Sequence, residues 1–301
     1  MLKINIMARN ISLHKTSLIG QRDDNEDVES YLLNLSIKGD AIDAKFAPID
    51  FFVICDGHGG KNVAEFVVLL LQKHLTKSRL RYPLSDKYIC KVYSYIQQSL
   101  IGHAKHIAAE CGCTDLVLIR YADEQNTKFV QVINLGDCRA VLSKNGVAMP
   151  LSKDHKPHWP DEKIRIAQVN QKHNMNEQIY VDEYDDWRIG GLSVSRSFGD
   201  LDNVPHVSHI PDIFSYKLSD EDEFVVLACD GIYDVMENHD VVNFVRDHMK
   251  HNHIETYKIP HKYPPKELAT SKNIARLLAE YALANGGTDN VSVMIIFFEK
   301  R

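Results

Sequence analysis

The chain has 301 residues, 44% of them hydrophobic and 25% charged, a balance that supports a buried core and excludes a disordered chain. Its formal charge, 35 − 41 = −6, comes without a long basic block, which argues against nucleic acid as a partner. Residues 1–10 lack a continuous apolar stretch of the secretory kind, and the longest apolar runs, 67–71 and 224–229, fall far short of the roughly 20 residues of a spanning helix. The expectation is therefore a soluble intracellular protein, cytoplasmic rather than nuclear, with no membrane partner.

Taken in chain order, residues 50–55 are rich in Phe, Val and Ile and run into Asp56-Gly57 as a buried strand would. Residues 61–75 are apolar nearly all round, which predicts a largely buried helix. Ser85 is placed to cap a helix in which Ile89, Val92, Tyr93, Ile96, Leu100 and Ile107 keep helical spacing. A second strand, 129–134, leads through Leu135-Gly136 to Asp137. Residues 151–188 are polar and carry Pro157, Pro160 and an acidic group at 182–186, which reads as a surface flap with a short helix from Pro160 to about Asn170. A third strand, 223–229, runs into Asp230-Gly231. Asn238 is placed to cap a helix with Val241, Val242, Phe244 and Val245 inward, and Ile274, Leu277, Leu278 and Tyr281 form a stripe that stops at Gly286-Gly287. The last strand, 291–298, follows Asp289-Asn290 rather than preceding an acid. Strands and helices do not alternate strictly enough for a doubly wound parallel sheet, so the pattern gives a mixed α/β chain and leaves its topology open.

Of the six cysteines, Cys55, Cys111, Cys113, Cys138 and Cys229 lie in or beside apolar or glycine-containing stretches, as small core residues would, and no Cys-x-x-Cys occurs. His103/His106 and His248/His251/His253 read as polar helix faces and ends rather than zinc ligands. Cys55, Cys138 and Cys229 adjoin acids of interest; they are either inert core thiols or redox-sensitive ones.

Those acids are Glu26-Asp27, Asp56, Asp230 and Asp289, with Asp137 as a further candidate. A single Asp-Gly is ordinarily a turn; its recurrence after strand-like runs points to a function. Carboxylates gathered at strand ends raise one another's pKa, and divalent cations relieve that cost. An all-oxygen set suits Mg2+ or Mn2+ rather than zinc. Two such ions, about 3.5–4 Å apart, clamp a phosphate and turn a water into a nucleophile.

The segments around these acids form an ordered series: Gly20-Gln-Arg-Asp-Asp-Asn-Glu-Asp27, Asp56-Gly-His-Gly-Gly60, Leu135-Gly-Asp-Cys-Arg139, Asp154-His-Lys-Pro157, Leu192-Ser-Val-Ser-Arg-Ser-Phe-Gly-Asp200, Ala228-Cys-Asp-Gly-Ile-Tyr-Asp-Val235 and Thr288-Asp-Asn-Val-Ser292. From about Gly20 to Phe298 the chain resembles the metal-dependent serine/threonine protein phosphatases of type 2C. The resemblance implies an α+β fold, a central β-sandwich of two antiparallel sheets flanked by helix pairs, with metals in a cleft at one end of a single domain covering 1–301. It also implies roles. Asp56 bridges two Mg2+ or Mn2+ ions, joined by the Gly57 carbonyl; Asp230 and Asp289 complete one shell; Glu26 and Asp27 serve the other. Asp137 and Asp234 go with an additional, weaker metal position. Arg22 binds phosphate through its planar guanidinium, and His58 protonates the leaving serine or threonine oxygen. The implied partner is a phosphoprotein substrate and the implied state a monomer. Asp154-His-Lys-Pro157 and Ser193-Val-Ser-Arg196 read as architectural. Cys111-Gly-Cys-Thr-Asp115 departs from the family's Ser-Gly-Ser-Thr-Ala, and its extra carboxylate puts local packing in question. The alternative reading is a catalytically dead relative kept as a regulatory or scaffolding module.

Overall fold

The structure, a computed structural model, describes residues 11–35, 49–77, 80–250 and 273–298; the expectations placed on residues 1–10, His251 and His253 lie outside them. One sheet has the order β1 (Ile11–Leu18), β15 (Val291–Phe298), β14 (Asp222–Ala228), β8 (Arg139–Lys144), β9 (Val147–Pro150). The other runs β13 (Asp212–Lys217), β7 (Lys128–Leu135), β6 (Asp115–Ala122), β3 (Ile49–Cys55), β2 (Val28–Leu35). Every pairing within both sheets is antiparallel. A small ribbon, β12 (Phe198–Gly199), β5 (Gly112–Cys113), β4 (Gly57–His58), and a hairpin of β10 (Tyr180–Val181) and β11 (Trp187–Arg188) complete the strands.

Alternation of side chains along each strand builds three apolar layers. Phe52, Ile54, Leu116, Leu118 and Val132 of one sheet meet Leu142, Val225, Leu227, Met294 and Ile296 of the other. Their neighbours Phe51, Val53, Val117 and Ile119 face outward onto α1 (Asn62–Leu75) and α2 (Asp86–His103) through Val67, Leu71, Ile89 and Tyr93. On the far side Val226, Ala228, Val293 and Ile295 pack on α5 (Asn238–Lys250) and α6 (Ile274–Ala284) through Val241, Val245, Leu278 and Ala282. Both faces of the central strands are therefore buried, which is why they read as unbroken apolar runs. Each large side chain so buried contributes about 1.5–3 kcal/mol. The result is the helix–sheet–sheet–helix sandwich that the resemblance implied.

The helices depart from expectation in detail. Helix α1 covers one sheet face only, so Leu69 stands 68% exposed and the helix is not buried all round. Ser85 does cap α2, its hydroxyl accepting from the Tyr88 amide, but the helix stops at His103 and Ile107 lies in the exposed turn beyond. Asn238 is the first residue of α5 rather than its cap. The Asp240 carboxylate accepts from the Glu237 amide there, and the Asn238 side chain accepts from Arg139 Nη1 instead. Helix α3 (Pro160–His173) opens on proline and ends at Asn174, whose left-handed φ of +52° closes it three residues later than expected. The flap segment thus carries α3 and the β10–β11 hairpin.

Candidate metal centre

Antiparallel pairing is what gathers the acids. Strand β14 leads out to Asp230, the first residue of the short α4 (Asp230–Tyr233), while β15 runs the opposite way with Ala228 opposite Val293. Asp289, before its strand, and Asp230, after its own, therefore reach the same end. The same holds for β2 and β3: Val28 pairs with Cys55, so Asp27 arrives beside Asp56. Asp137 joins them from the end of β7, two residues past Leu135.

Oxygens of Asp56, Asp137 and Asp230 lie within 4.8 Å of one another, as do ligand atoms of Asp27, Asp56 and Cys229. The crowding has the expected electrostatic cost. Burial, then the carboxylates of Asp230, Asp27, Asp137 and Asp289, drives Asp56 well above the usual carboxylate range. Burial and the charges of Asp137 and Asp234 do the same to Asp230. Asp27 is pushed up to about 6, chiefly by burial. Its Oδ1 is buried without a hydrogen-bond partner among the described residues, a position that costs free energy unless something cationic meets it. These residues fit a hard divalent cation. The neighbouring thiol does not change that: burial pushes Cys229 well up, and as a protonated thiol it donates to Asp27 Oδ2 (3.5 Å) and the Asn290 carbonyl (3.4 Å).

The remaining predicted residues surround this cluster. Gly57 lies so close to the loop before β2 that a Cβ there would sit 2.5 Å from the Glu26 carbonyl, which brings Glu26 against the strand end. Arg22 is exposed at the rim, and its Nη2 donates to Asp289 Oδ2 at 2.7 Å. Asp234 follows α4 and acts on Asp230 through its charge. His58 places Nε2 against the Asp200 carboxylate; burial works against a charged ring, and the Asp200 contact more than offsets it.

Sequence reasoning assigned no role to Asn290 or Asp200 and read Lys156, within Asp154-His-Lys-Pro157, as architectural. Asn290 Oδ1 accepts from the Glu26 amide at 2.8 Å, and its Nδ2 donates to the carbonyls of Ile19 (2.8 Å) and Asp24 (3.0 Å). One side chain thus pins the loop carrying Arg22, Glu26 and Asp27 to the start of β15; its place beside Asp289 was the available signal. The Asp154-His-Lys-Pro157 segment divides in two. Asp154 is architectural, taking Arg139 in a two-pronged bond of 3.0 and 2.6 Å, whereas Lys156 Nζ reaches into the cluster and pairs with Asp137. Burial opposes the lysine's charge, but Asp137 and Asp230 outweigh it and raise its pKa.

The departing segment buries its extra carboxyl: Asp115 is fully buried, accepts the Tyr93 hydroxyl on Oδ2 at 2.6 Å, has no hydrogen-bond partner for Oδ1 among the described residues, and is driven by burial well above the carboxylate range. Cys55, Cys138 and Cys229 are fully buried with thiols pushed well up by burial, the condition of inert core cysteines. Among the described residues no helix is long and apolar enough to cross a membrane.

The chain is similar to known proteins. The chain is 62% identical over 178 residues to a PP2C-like domain-containing protein of Acanthamoeba polyphaga mimivirus, covering 59% of this chain and 99% of that one. It is 32% identical over 255 residues to "Probable protein phosphatase 2C 7" of Oryza sativa subsp. japonica, covering 83% of this chain but only 58% of the rice protein. It spans 29% of human Protein phosphatase 1E. The fold is that of a serine-threonine phosphatase 2C from Toxoplasma gondii, with a TM-score of 0.72 at 22% identity over 96% of this chain and 95% of that one. The profile described as Protein phosphatase 2C matches residues 12–291. On that match the chain belongs to the protein phosphatase 2C family, whose members are metal-dependent protein serine/threonine phosphatases.

Proposed function

We propose that this chain hydrolyses phosphoserine and phosphothreonine esters in proteins, with a pair of Mg2+ or Mn2+ ions held in the acidic cleft. The observation that carries the reading is the Asp27, Asp56, Asp137, Asp230 cluster with its partnerless buried Asp27 Oδ1. Asp56, central to both groups of acids, would be the shared ligand together with the Gly57 carbonyl; Asp230 and Asp289 would serve one ion, Glu26 and Asp27 the other. Asp137 and Asp234 would serve an additional weaker position. When bound, such ions neutralise the phosphoryl oxygens and make water acidic enough to attack phosphorus. Arg22, exposed and paired with Asp289, would exchange that contact for two phosphate oxygens. His58 would give a proton to the departing seryl or threonyl oxygen. The chain would act as a monomer on phosphoprotein substrates. The free state of the six cysteines supports a reducing, cytoplasmic setting.

The test is hydrolysis of p-nitrophenyl phosphate and of phosphoserine peptides by wild type, Asp56→Asn and Asp230→Asn, with Mn2+ or Mg2+ added or chelated. Activity should require the metal and fall by about 10²-fold or more in either variant, the scale of losing charge stabilisation at a reacting centre. Full turnover in chelated protein would overturn the metal reading. Turnover of the small ester with no turnover of any phosphopeptide would overturn the protein substrate.

A further inference from the structure

The ribbon of β4, β5 and β12 does one thing beyond closing the sandwich. Its register sets His58 opposite Gly112 and Gly112 opposite Gly199, so Asp200, the next residue, arrives beside His58. Asp200 takes a left-handed φ of +46°, its amide donates to the Cys111 carbonyl, and its side chain is 0% exposed. His58 Nε2 lies 2.8 and 2.9 Å from the two oxygens of that carboxylate. The Ser197 hydroxyl donates to Oδ2. Gly112 leaves the room for this meeting: a Cβ there would stand 2.2 Å from Asp200 Oδ2 and 2.6 Å from His58 Nε2.

Among the described residues no arginine or lysine forms an ion pair with Asp200. A buried carboxylate is costly unless it is paired and hydrogen-bonded, and among the described residues the one ionisable side chain that pairs with Asp200 is the His58 imidazole. Fold support does not require this. A neutral side chain would take the Ser197 bond equally well, and the two oxygens of Asp200 both face the same ring nitrogen.

We infer that Asp200 is the positioning residue of His58: it accepts the Nε2–H bond, fixes the ring, and leaves Nδ1 as the nitrogen that delivers the proton. The inference rests on the reading of His58 as proton donor given above. As water adds to phosphorus, the ester P–O bond breaks and its electron pair stays on the seryl or threonyl oxygen. The proton on Nδ1 passes to that oxygen. The ring ends neutral, with its Nε2 proton still held by Asp200. The carboxylate stabilises the charged ring before transfer and selects one tautomer after it, as a carboxylate orients the base in other acid–base pairs.

The experiment compares two esters that differ in their need for a proton: phenyl phosphate, a poor leaving group, and a dinitrophenyl phosphate, which departs unaided. In Mn2+-loaded Asp200→Asn, kcat on phenyl phosphate should fall by about 10²-fold, the lower end of general-acid effects, while kcat on the dinitrophenyl ester changes by less than about threefold. KM and the calorimetric affinity for Mn2+ should stay near wild type. His58→Gln, run beside it, should show the same selectivity. If His58→Gln is selective and Asp200→Asn slows both esters equally, Asp200 is merely structural and the inference falls while the role of His58 stands. If His58→Gln loses no selectivity, the proton-donor reading itself falls, and the inference with it. Should Asp200→Asn fail to fold, Ser197→Ala replaces it: a selective loss of about three- to tenfold on phenyl phosphate is expected from removing one hydrogen bond, and an equal loss on both esters overturns the inference.

Discussion

Glu162, in the first turn of α3, is 2% exposed and ties the flap to the sandwich. Its Oε1 accepts from Arg196 Nε (3.0 Å) and Nη2 (2.6 Å); its Oε2 accepts from Arg165 Nε (2.8 Å) and the Ser195 hydroxyl (2.7 Å). Arg196 continues through Nη1 to Asp212 Oδ1 on β13 at 2.8 Å. Burial alone would raise the glutamate's pKa, but the Arg196 bonds and the Arg165 charge outweigh it and bring the value down to about 2 from 4.5. A depressed carboxylate pKa gives stability that is present above the unfolded value and lost as pH falls through the folded one. The drop, 4.5 − 2 = 2.5, corresponds to about 3 kcal/mol at pH 7. That agrees with the roughly 3–5 kcal/mol lost when one member of a buried ion pair is removed. Glu162→Gln should therefore lose about 3 kcal/mol at pH 7, a fall in Tm of about 6–12 °C at 2–4 °C per kcal/mol for a chain of this class. Paired urea and thermal unfolding of metal-free wild type and variant would measure it. At pH 3, where the glutamate is part-titrated in the folded state and largely protonated in the unfolded one, the gap should shrink to roughly half. A gap below about 0.5 kcal/mol at pH 7, the size of an ordinary surface change, or one unaltered at pH 3, would refute the reasoning.

Asn290→Ala removes the bonds to Glu26, Ile19 and Asp24 and should cost about 2–4 kcal/mol. It should also weaken Mn2+ binding by about 10–100-fold in calorimetry, as the loss of a group that orients ligands does; unchanged affinity would show that the Glu26-Asp27 loop holds itself in place. In chelated protein the Asp27 pKa of about 6, against an unperturbed 3.8, means that the folded state binds the extra proton. Stability should fall as pH rises from about 4 through 6 and level off above, by up to about 3 kcal/mol in all and about 1.5 kcal/mol of it between pH 5 and 7.5, and Asp27→Asn should remove that share of the slope. Melting curves of the two EDTA-treated proteins at pH 5 and 7.5 would check it, and a wild type that gains on the variant as pH rises would contradict the cluster's electrostatics.

Much of the fold was legible because strand character is local: the β3, β7, β14 and β15 runs announce themselves by Val, Ile and Phe whatever they pair with. Helix faces were less so. Residues 61–75 look apolar all round, yet Leu69 is exposed because only one side of α1 meets a sheet. Asn238 has the chemistry of a cap, but Arg139 claims its side chain, a contact 99 positions away that no local pattern reveals.

The acidic strand ends were visible in the sequence by themselves, and with them the divalent-metal chemistry, because carboxylates beside glycine after apolar runs are a matter of residue type and spacing. Which acids meet was decided only by the tertiary structure. Antiparallel register carries Asp289 and Asp27, each before its strand, to the same end as Asp230 and Asp56, each after its own. The same long-range packing brought in Asn290, Lys156 and Asp200, whose partners are set by three-dimensional distance rather than by neighbours along the chain.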